Sequence, residues 1–279
     1  MSSKLNVTVL IIAQNEEENI RYCLESIVGK FTQIILVDSF STDNTIIIAK
    51  EFESVNIYQN RFIHWAQQKN WMLENCKIEN EIVLFLDSDE YIDEKFINEL
   101  ENILKNKKEF DAICIKPSFI FMGKRVRFAY NHPIVKRIFR KNNVSYRIEG
   151  ARDYPNIKGK ILKMRSVFNH YNRKSMSKWI EKQVDNAIKE AELFNLNNKS
   201  EETEVSLNHF SLNVKIKTFI RRNIWDKLPL VIRPFFYFFY RYIVLLGFLD
   251  GRAGFIYCFM HAFWYQMLIA VLIIEKRKK

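Results

Sequence analysis

The first hundred residues alternate short apolar runs with longer segments of helical period. "VTVLII", "QIILV", "VNIY" and "IVLFL" are rich in β-branched residues and read as strands. "EEENIRYCLESIV", "TDNTIIIAKEF", "HWAQQKNWMLENC" and "EKFINELENILKN" read as helices. In the first helix Asn15 is a candidate N-cap, and Ile20, Leu24 and Ile27 share one face; Ser41 or Thr42 stands near the cap of the second. Strands alternating with helices predict βαβ units, a mostly parallel sheet and right-handed crossovers. Ligands of such sheets bind beyond the carboxyl ends of the strands. Three of those ends carry polar clusters, "AQNEE", "DSFSTD" and "DSDE", which are expected to converge on one rim.

After Asp111 the pattern is less regular. "AICIKPSFIFMGKRVRFAY" reads as a hairpin turning near Gly123, "IVKRIFRKNNVSYRIEG" as two short strands, and "KILKMRSVFNHY" as another. Helical period returns from Met176 to about Phe194 and from Ser206 to about Ile224. The tail from Arg233 is aromatic and apolar, broken at "LDGRAG" and basic at its end. Ala253–Ile274 has only His261 and Gln266 as strongly polar side chains, long enough to span a bilayer of ~30 Å or to form half of an interfacial hairpin. These changes divide the chain into an α/β domain, 1–200, and a helical, membrane-associating region, 201–279.

Composition narrows the class. With 279 residues, 48% hydrophobic, the chain can bury a large core. The net charge of +11 is unevenly spread: residues 1–110 hold 11 Lys/Arg against 19 Asp/Glu, and residues 111–279 hold 32 against 13. The first part is therefore no polyanion binder by bulk charge, whereas the second suits phosphate, nucleic acid or an anionic membrane surface. No nucleic-acid motif accompanies that charge, and its basic residues are scattered among apolar runs. Cys23, Cys76, Cys114 and Cys258 lie far apart with no CxxC pair, which indicates neither a zinc knuckle nor a disulfide framework and fits a reduced, cytosolic setting. The N-terminus lacks the basic region and small-residue cleavage site of a signal peptide.

"IVLFLDSDEY" poses a chemical question, because five apolar residues run directly into Asp87, Asp89 and Glu90. Carboxylates crowded at the end of a core strand repel one another and are costly to desolvate, so a cation is expected beside them. Alternate residues of an extended segment point the same way, and hard carboxylate oxygens suit Mg²⁺ or Mn²⁺ with substrate phosphates completing the shell. An isolated Asp-x-Asp is more often a solvated turn; its neighbours decide.

"VTVLIIAQNEEENIRYCLESI", "IILVDSFSTDNT", "QQKNWMLENC" and "IVLFLDSDEYID", in that order and spacing over roughly residues 5–95, resemble the family 2 glycosyltransferases of the GT-A fold. "VKRIFRK", "GARDY", "FNHY", "WIEKQVDNAIKEAE" and "RPFF…GFLDGRAGFIY" are similar to a bacterial branch that glucosylates lipopolysaccharide core. "ARD" departs from that branch's usual His-Glu, and Ser88 from its usual Ala. The resemblance implies a mixed, mostly parallel sheet and an inverting transfer of a hexose, glucose from UDP-glucose, with a divalent metal. By position it implies that Ala13, Asn15 and Glu16 border the base and ribose, that Asp38 and Ser39 meet the base, and that Lys69 faces the donor phosphates. Asp87 and Ser88 would lie by the ribose, with Asp87, Asp89 and His170 on the metal. Glu90 would orient the acceptor or support the metal's ligands. The base would be Asp153, which stands where the branch has the Glu of His-Glu, or else Glu149. His64, His132, His209 and His261 are read as structural or exposed.

The expected partners are a nucleotide sugar, a lipid-linked saccharide acceptor and an anionic membrane surface. The expected location is the cytoplasmic face of a bacterial inner membrane, peripheral or monotopic, with a single C-terminal span as the alternative. A capsule or protein glycosyltransferase is the second enzyme reading, and a basic nucleic-acid-binding protein is the reading from another class.

Overall fold

The computed structural model describes residues 4–106, 109–149, 152–197 and 228–278. They form two compact units: residues 1–125 with 132–173, and residues 126–131 with 174–279.

The first unit is built on one sheet. β1 (Leu5–Ala13), β2 (Phe31–Asp38), β3 (Val55–Gln59) and β4 (Ile82–Asp87) are parallel and stand in the order β3-β2-β1-β4. Helices α1 (Ile20–Ile27), α2 (Thr45–Lys50) and α3 (Trp65–Asn75) connect them. Two residues, Glu90–Tyr91, then form β5, followed by helix α4 (Glu94–Lys105). The sheet continues through β6 (Ala112–Phe121), β8 (Val135–Arg140) and β11 (Ile161–His170), in the order β4-β8-β6-β11-β5. β8 is antiparallel to β4 and β6, and β11 is parallel to β6, so the sheet is mixed and mostly parallel as the pattern predicts. β7 (Lys124–Arg125) closes the hairpin with β6 at Met122-Gly123, where both residues have positive φ. β9 (Ser145–Glu149) and β10 (Arg152–Asn156) make a separate antiparallel ribbon.

The period-two pattern of β1 explains the layering. Val7, Val9 and Ile11 pack into one core with Ile20, Leu24 and Ile27 of α1, Ala49 of α2, and Phe96, Leu100 and Ile103 of α4. Leu10 and Ile12 point into the opposite core with Ile35, Val37, Phe85, Phe139, and Ala66 and Met72 of α3. A strand buried on both faces reads as a continuous apolar run, which is what "VLII" is. Each fully buried Leu, Ile or Phe contributes about 1.5–3 kcal/mol. Two helix starts differ from the sequence reading. α1 begins at Ile20, not beside Asn15, and α2 begins at Thr45 with Asn44 before it. Asn15 has φ 54°, a left-handed conformation incompatible with leading directly into a helix.

The second unit is helical. α5 (Met176–Asn197) buries Ala187 and Ala191, one turn apart, on the face that meets the C-terminal helix. α6 (Arg233–Phe239) continues as a π-helical turn, Tyr240–Val244. After a 3-10 turn, Gly247–Asp250, α7 (Gly251–Tyr257) runs through a π-helical stretch, Cys258–Trp264, into α8 (Tyr265–Lys278). The two arms form a hairpin, with Phe238 set edge-on to Phe255, Phe259 and Phe263. α5 lies along the second arm: Tyr265 donates to Glu190 Oε1 (3.0 Å) and Lys276 pairs with Glu192 (2.9 Å). Thus α5 packs with the tail helices, on the far side of the expected boundary at residue 200. The helix expected over 206–224 and His209 lie outside the described residues.

The hairpin turn depends on close backbone approach. A Cβ on Gly254 would strike the Gly247 carbonyl and come within 2.6 Å of Asp250 Cβ. We expect Gly254→Ala to destabilise the helical unit by about 1–3 kcal/mol, the usual range for overpacking. Urea unfolding followed by the fluorescence of Trp264, in a background with the other tryptophans replaced by Phe, would measure it, and an unchanged midpoint would mean that the turn relaxes freely.

Candidate active site

The register brings three strand ends together. Ala13 of β1 pairs with Asp38 of β2, and Ile12 pairs with Asp87 of β4. The loops that follow are tied to one another. Thr42 N–H donates to Asn15 Oδ1 (2.8 Å), Asn15 N–H to Ser41 Oγ (2.9 Å), and Glu16 N–H to Thr45 Oγ1 (2.7 Å). The polar clusters of the first two strand ends therefore form one rim.

The carboxylates after β4 have their cation in Arg137, on β8. Its guanidinium donates to both oxygens of Asp87 (3.2 and 2.7 Å) and to Glu90 Oε1 (2.6 Å). Glu90 also accepts the Asp87 N–H at 2.9 Å. Its side chain is 2% exposed. Burial works to raise the Asp87 carboxyl, but Arg137 and Lys69 prevail and hold it well below the usual range. Glu90 moves the other way: burial first, with Asp87 adding to it against the pull of Arg137, pushes it up to about 8. One guanidinium thus serves two carboxyls that differ in their hold on a proton.

Asp89 faces a different partner. β5 pairs antiparallel with the end of β11, setting His170 opposite Glu90, and Tyr171 N–H donates to the Asp89 carbonyl. His170 Nε2 lies 3.2 Å from Asp89 Oδ2, with the ring edge-on to Phe119. Burial would lower His170, but Asp89, Glu90 and Asp87 raise it to about 9. Of the three residues expected on a metal, the structure joins Asp89 with His170 and commits Asp87 to Arg137. Among the described residues no three His, Cys, Asp or Glu side chains converge as a metal cage. A carboxylate and an imidazole are a partial donor set for an ion such as Mn²⁺, to be completed by phosphate and water.

A cavity of about 470 Å³ opens beside Asp87, lined by Trp65, Lys69, Arg137, Tyr146 and Asp153. Lys69 comes from α3, whose N-terminus is capped by His64 accepting from Ala66 N–H (3.1 Å), a structural role as expected. Lys69 Nζ is 2.7 Å from Asp153 Oδ2 and 4.9 Å from the centre of the Tyr146 ring. Asn70 fixes the ribbon on α3: its amide donates to the Tyr146 carbonyl (2.8 Å) and accepts the Tyr146 N–H (2.7 Å). Glu149 ends β9 two residues before the described part of β10; its side chain lies outside the described residues, as do Gly150 and Ala151.

The remaining expected donor contacts sit differently. Asp38 is fully buried and caps its own turn, accepting from Ser41 N–H (3.0 Å), the Ser41 hydroxyl and Gln59 (3.4 Å). Ser39 and Ser88 are also buried, and Ser39 Oγ accepts from Gln68 (3.2 Å). Glu16 accepts from Asn19 (2.7 Å). Asp38 and Ser39 are thus hydrogen-bonded within the rim, Ser88 is buried beside it, and Asn15 is open at its edge. Phe40, absent from the sequence expectations, is 57% exposed there with φ 57°. A bulky residue in that region is a backbone outlier, and such strain gathers at ligand sites. Arg137, Tyr146 and Asn70 were likewise not singled out by sequence; the signal for Arg137 was the uncompensated run of acids.

A strand-end rim, a charged cavity beside it and an acidic turn after the fourth strand define a nucleotide-binding α/β class of protein. The family model for glycosyl transferase family 2 matches residues 8–175, and the chain belongs to that family. It is 26% identical over 190 residues to the uncharacterized glycosyltransferase RT0209 of Rickettsia typhi, covering 63% of each chain. It is 28% identical over 147 residues to the lipopolysaccharide core biosynthesis glycosyltransferase LpsC of Rhizobium meliloti, covering 49% of this chain and 53% of that one. The S. aureus TarS 1–349 structure in complex with UDP-GlcNAc aligns over 98% of this chain and 92% of its own, at 16% identity and a TM-score of 0.49. The chain spans 27% to 63% of the length of these and other curated relatives.

Arg137 carries the site's charge balance. Removing one partner of a buried, hydrogen-bonded ion pair typically costs about 3–5 kcal/mol. Arg137→Met should therefore destabilise the sheet unit by that much, and adding Glu90→Gln should recover part of the loss. Chemical denaturation of the two variants measures both, and an Arg137→Met variant as stable as the parent would show that the clamp is not what stabilises the acidic turn.

Proposed function

We propose that the protein is an inverting, metal-assisted hexosyltransferase that moves a sugar, glucose in the leading reading, from a UDP-linked donor to a hydroxyl of a lipid-linked core saccharide. The observation that carries this reading is the cavity at the carboxyl ends of the parallel strands, where Lys69 and Arg137 stand with Asp87 and Asp153. A nucleoside diphosphate needs cations near its phosphates, and the two basic side chains supply them. Asn15 and the exposed Phe40 ring lie at the rim where a base would enter.

In the reaction, an acceptor oxygen bonds to the anomeric carbon as the bond from that carbon to the diphosphate oxygen breaks on the opposite face. The transition state has oxocarbenium character. The hydroxyl proton passes to a carboxylate, for which Asp153 is the candidate, oriented by Lys69 at 2.7 Å. A divalent ion held by Asp89 and His170 would neutralise charge on the departing diphosphate. Glu90, buried behind Asp87, supports the turn and does not face the acceptor in this reading. The acceptor class is suggested by LpsC, whose name places it in lipopolysaccharide core biosynthesis. It is also suggested by the apolar helical unit, since an enzyme for a lipid-linked acceptor gains by residence at the bilayer.

The membrane reading favours lying on the bilayer over crossing it, on the cytoplasmic face where nucleotide sugars are made. Gly247–Arg277, at 31 residues, is long enough to cross and contains an 18-residue stretch of mean hydropathy 1.7. Yet α5, which carries Lys178, Glu181, Lys182, Lys189 and Glu192, is packed along that helix. Such a flank is costly inside hydrocarbon.

Screening nucleotide sugars for slow hydrolysis, with and without Mn²⁺ or Mg²⁺, tests the donor. Asp89→Asn should lower metal-dependent turnover by on the order of 10²-fold or more with the fold intact, since metal assistance is worth several kcal/mol. Near-normal turnover by this variant in metal-depleted buffer would remove the metal role. Asp153→Asn should cut kcat by about 10²–10⁴-fold and leave donor affinity nearly unchanged; a larger effect on KM than on kcat would make Asp153 a binding residue.

A further inference from the structure

We infer that the turn of the helical hairpin, Gly247–Asp250, together with Arg127–Ala129, forms a docking surface for an anionic lipid bilayer. This rests on the membrane reading above and identifies the part of the chain that enters the interface.

Asp250 closes the 3-10 turn of the hairpin. A charged residue at the tip of an apolar hairpin is unfavourable next to lipid unless its hydrogen bonds are satisfied within the protein. Here they are. Asp250 accepts the backbone N–H groups of Arg127 (2.9 Å), Phe128 (2.8 Å) and Ala129 (2.7 Å), residues more than 120 positions away in sequence. Three amides converging on one carboxylate fix the charge in place and at the same time satisfy the amides of an irregular loop. Arg241 completes the clasp from the other arm. It is buried, and it donates to the Ala129 carbonyl and to the Tyr237 hydroxyl (3.2 Å). Tyr130 packs edge-on to Tyr257 just beyond.

With those polar groups turned inward, the tip presents apolar side chains. Leu246, Phe248, Leu249 and Phe128 are each between 40% and 54% exposed. Backbone polar groups satisfied within the protein are the condition for placing irregular structure against lipid. The exposed neighbours are basic: Arg127 and Arg252 flank the clasp, one on each segment. Aromatic and aliphatic side chains ringed by arginine match the headgroup boundary of an anionic membrane, the apolar groups entering and the guanidinium groups staying at the phosphates. The charge pattern selects lipid over a second protein surface, because a protein partner would need matched acidic groups around an apolar centre, whereas an anionic bilayer supplies both everywhere.

The test uses the full chain and vesicles of phosphatidylcholine, alone or with phosphatidylglycerol, in a flotation assay. The parent should float with the anionic vesicles and much less with the neutral ones. Phe248→Ser with Leu249→Ser should weaken binding to both, and Arg127→Gln with Arg252→Gln should remove the preference for phosphatidylglycerol, on the order of tenfold or more in partition. None of these residues is among those lining the candidate active site, so hydrolysis of the nucleotide sugar without lipid should be unchanged in all variants. Failure of hydrolysis in the parent would overturn the proposed reaction while leaving the docking result standing. To guard against misfolded variants, a spin label at Leu249→Cys, in a Cys114→Ser background, should lose accessibility to a water-soluble quencher when anionic vesicles are added. Unchanged accessibility, equal flotation of parent and variants, or a dimer broken by the Phe248/Leu249 pair in place of vesicle binding would each overturn the inference.

Discussion

The contact on which the catalytic unit depends is the fork of Arg137 across Asp87 and Glu90. β4 is the last in the chain of the four parallel strands β1 to β4, and it ends in acid. Without a cation that end would either stay disordered or stay protonated, and the turn that presents Asp89 would have no fixed shape. Arg137 can reach it only because β8 runs antiparallel beside β4, with Leu84 opposite Ile138. The same guanidinium lies 5.3 Å from the Phe168 ring of β11, so the strand that carries His170 is packed against the same group. One side chain therefore links the acidic turn, the edge of the cavity and the strand bearing the second candidate metal ligand.

That dependence explains what was and was not legible in the sequence. β1 to β4 and α1 to α4 were legible because their signals are local, apolar runs and helical period; the caps were not, and Asp93, which accepts Phe96 N–H at 3.0 Å, was not singled out. The identities of Asp87, Asp89, Lys69, Asp153 and His170 as neighbours of one site came from motif order, and the structure does gather Lys69 with Asp153 and Asp89 with His170. Long-range register was not legible. Nothing in "VKRIFR" says whether Lys136 or Arg137 faces β4's acids, since a strand sends neighbours to opposite faces and a shift of one residue exchanges them. β5 is two residues long, and β10 contains Pro155 with no apolar run, so neither leaves a strand signature. Asp38 shows the same limit from the other side. Its motif points to a ligand contact, and nothing in that motif foretells the burial and the three hydrogen bonds with which it holds its own turn.

The uneven charge of the chain takes on a structural meaning in the second unit. A count of +19 over residues 111–279 is ambiguous between nucleic acid and membrane, and family membership turns the question toward the acceptor. Some of that charge is engaged within the unit. Arg241 is spent inside the hairpin, Lys276 on Glu192, and Arg233 on the Leu228 carbonyl. What remains outward on the hairpin is dominated by aromatic and aliphatic groups, Phe235, Phe236 and Phe239 among them. A soluble surface seldom leaves so many large apolar residues contiguous without a partner.

The hairpin also shows why hydropathy alone overstates the case for a span. Length and mean hydropathy treat every residue of Gly247–Arg277 as if lipid surrounded it. In the folded unit, Ala270 and Ile273 are buried, and Ala187 and Ala191 of α5 are the small residues that permit so close an approach. The helix is apolar partly because it is a core helix of its own unit, and the proposed contact with lipid would account for the apolar groups on its outer side. Separating those two sources of hydrophobicity requires knowing which face α5 covers, information that a linear average discards. Once that face is assigned, the outward aromatics of both arms and the clasped turn remain for the bilayer. Under the proposed docking, the segment would act as an amphipathic layer on the membrane, with its charged helix α5 on the side away from the lipid.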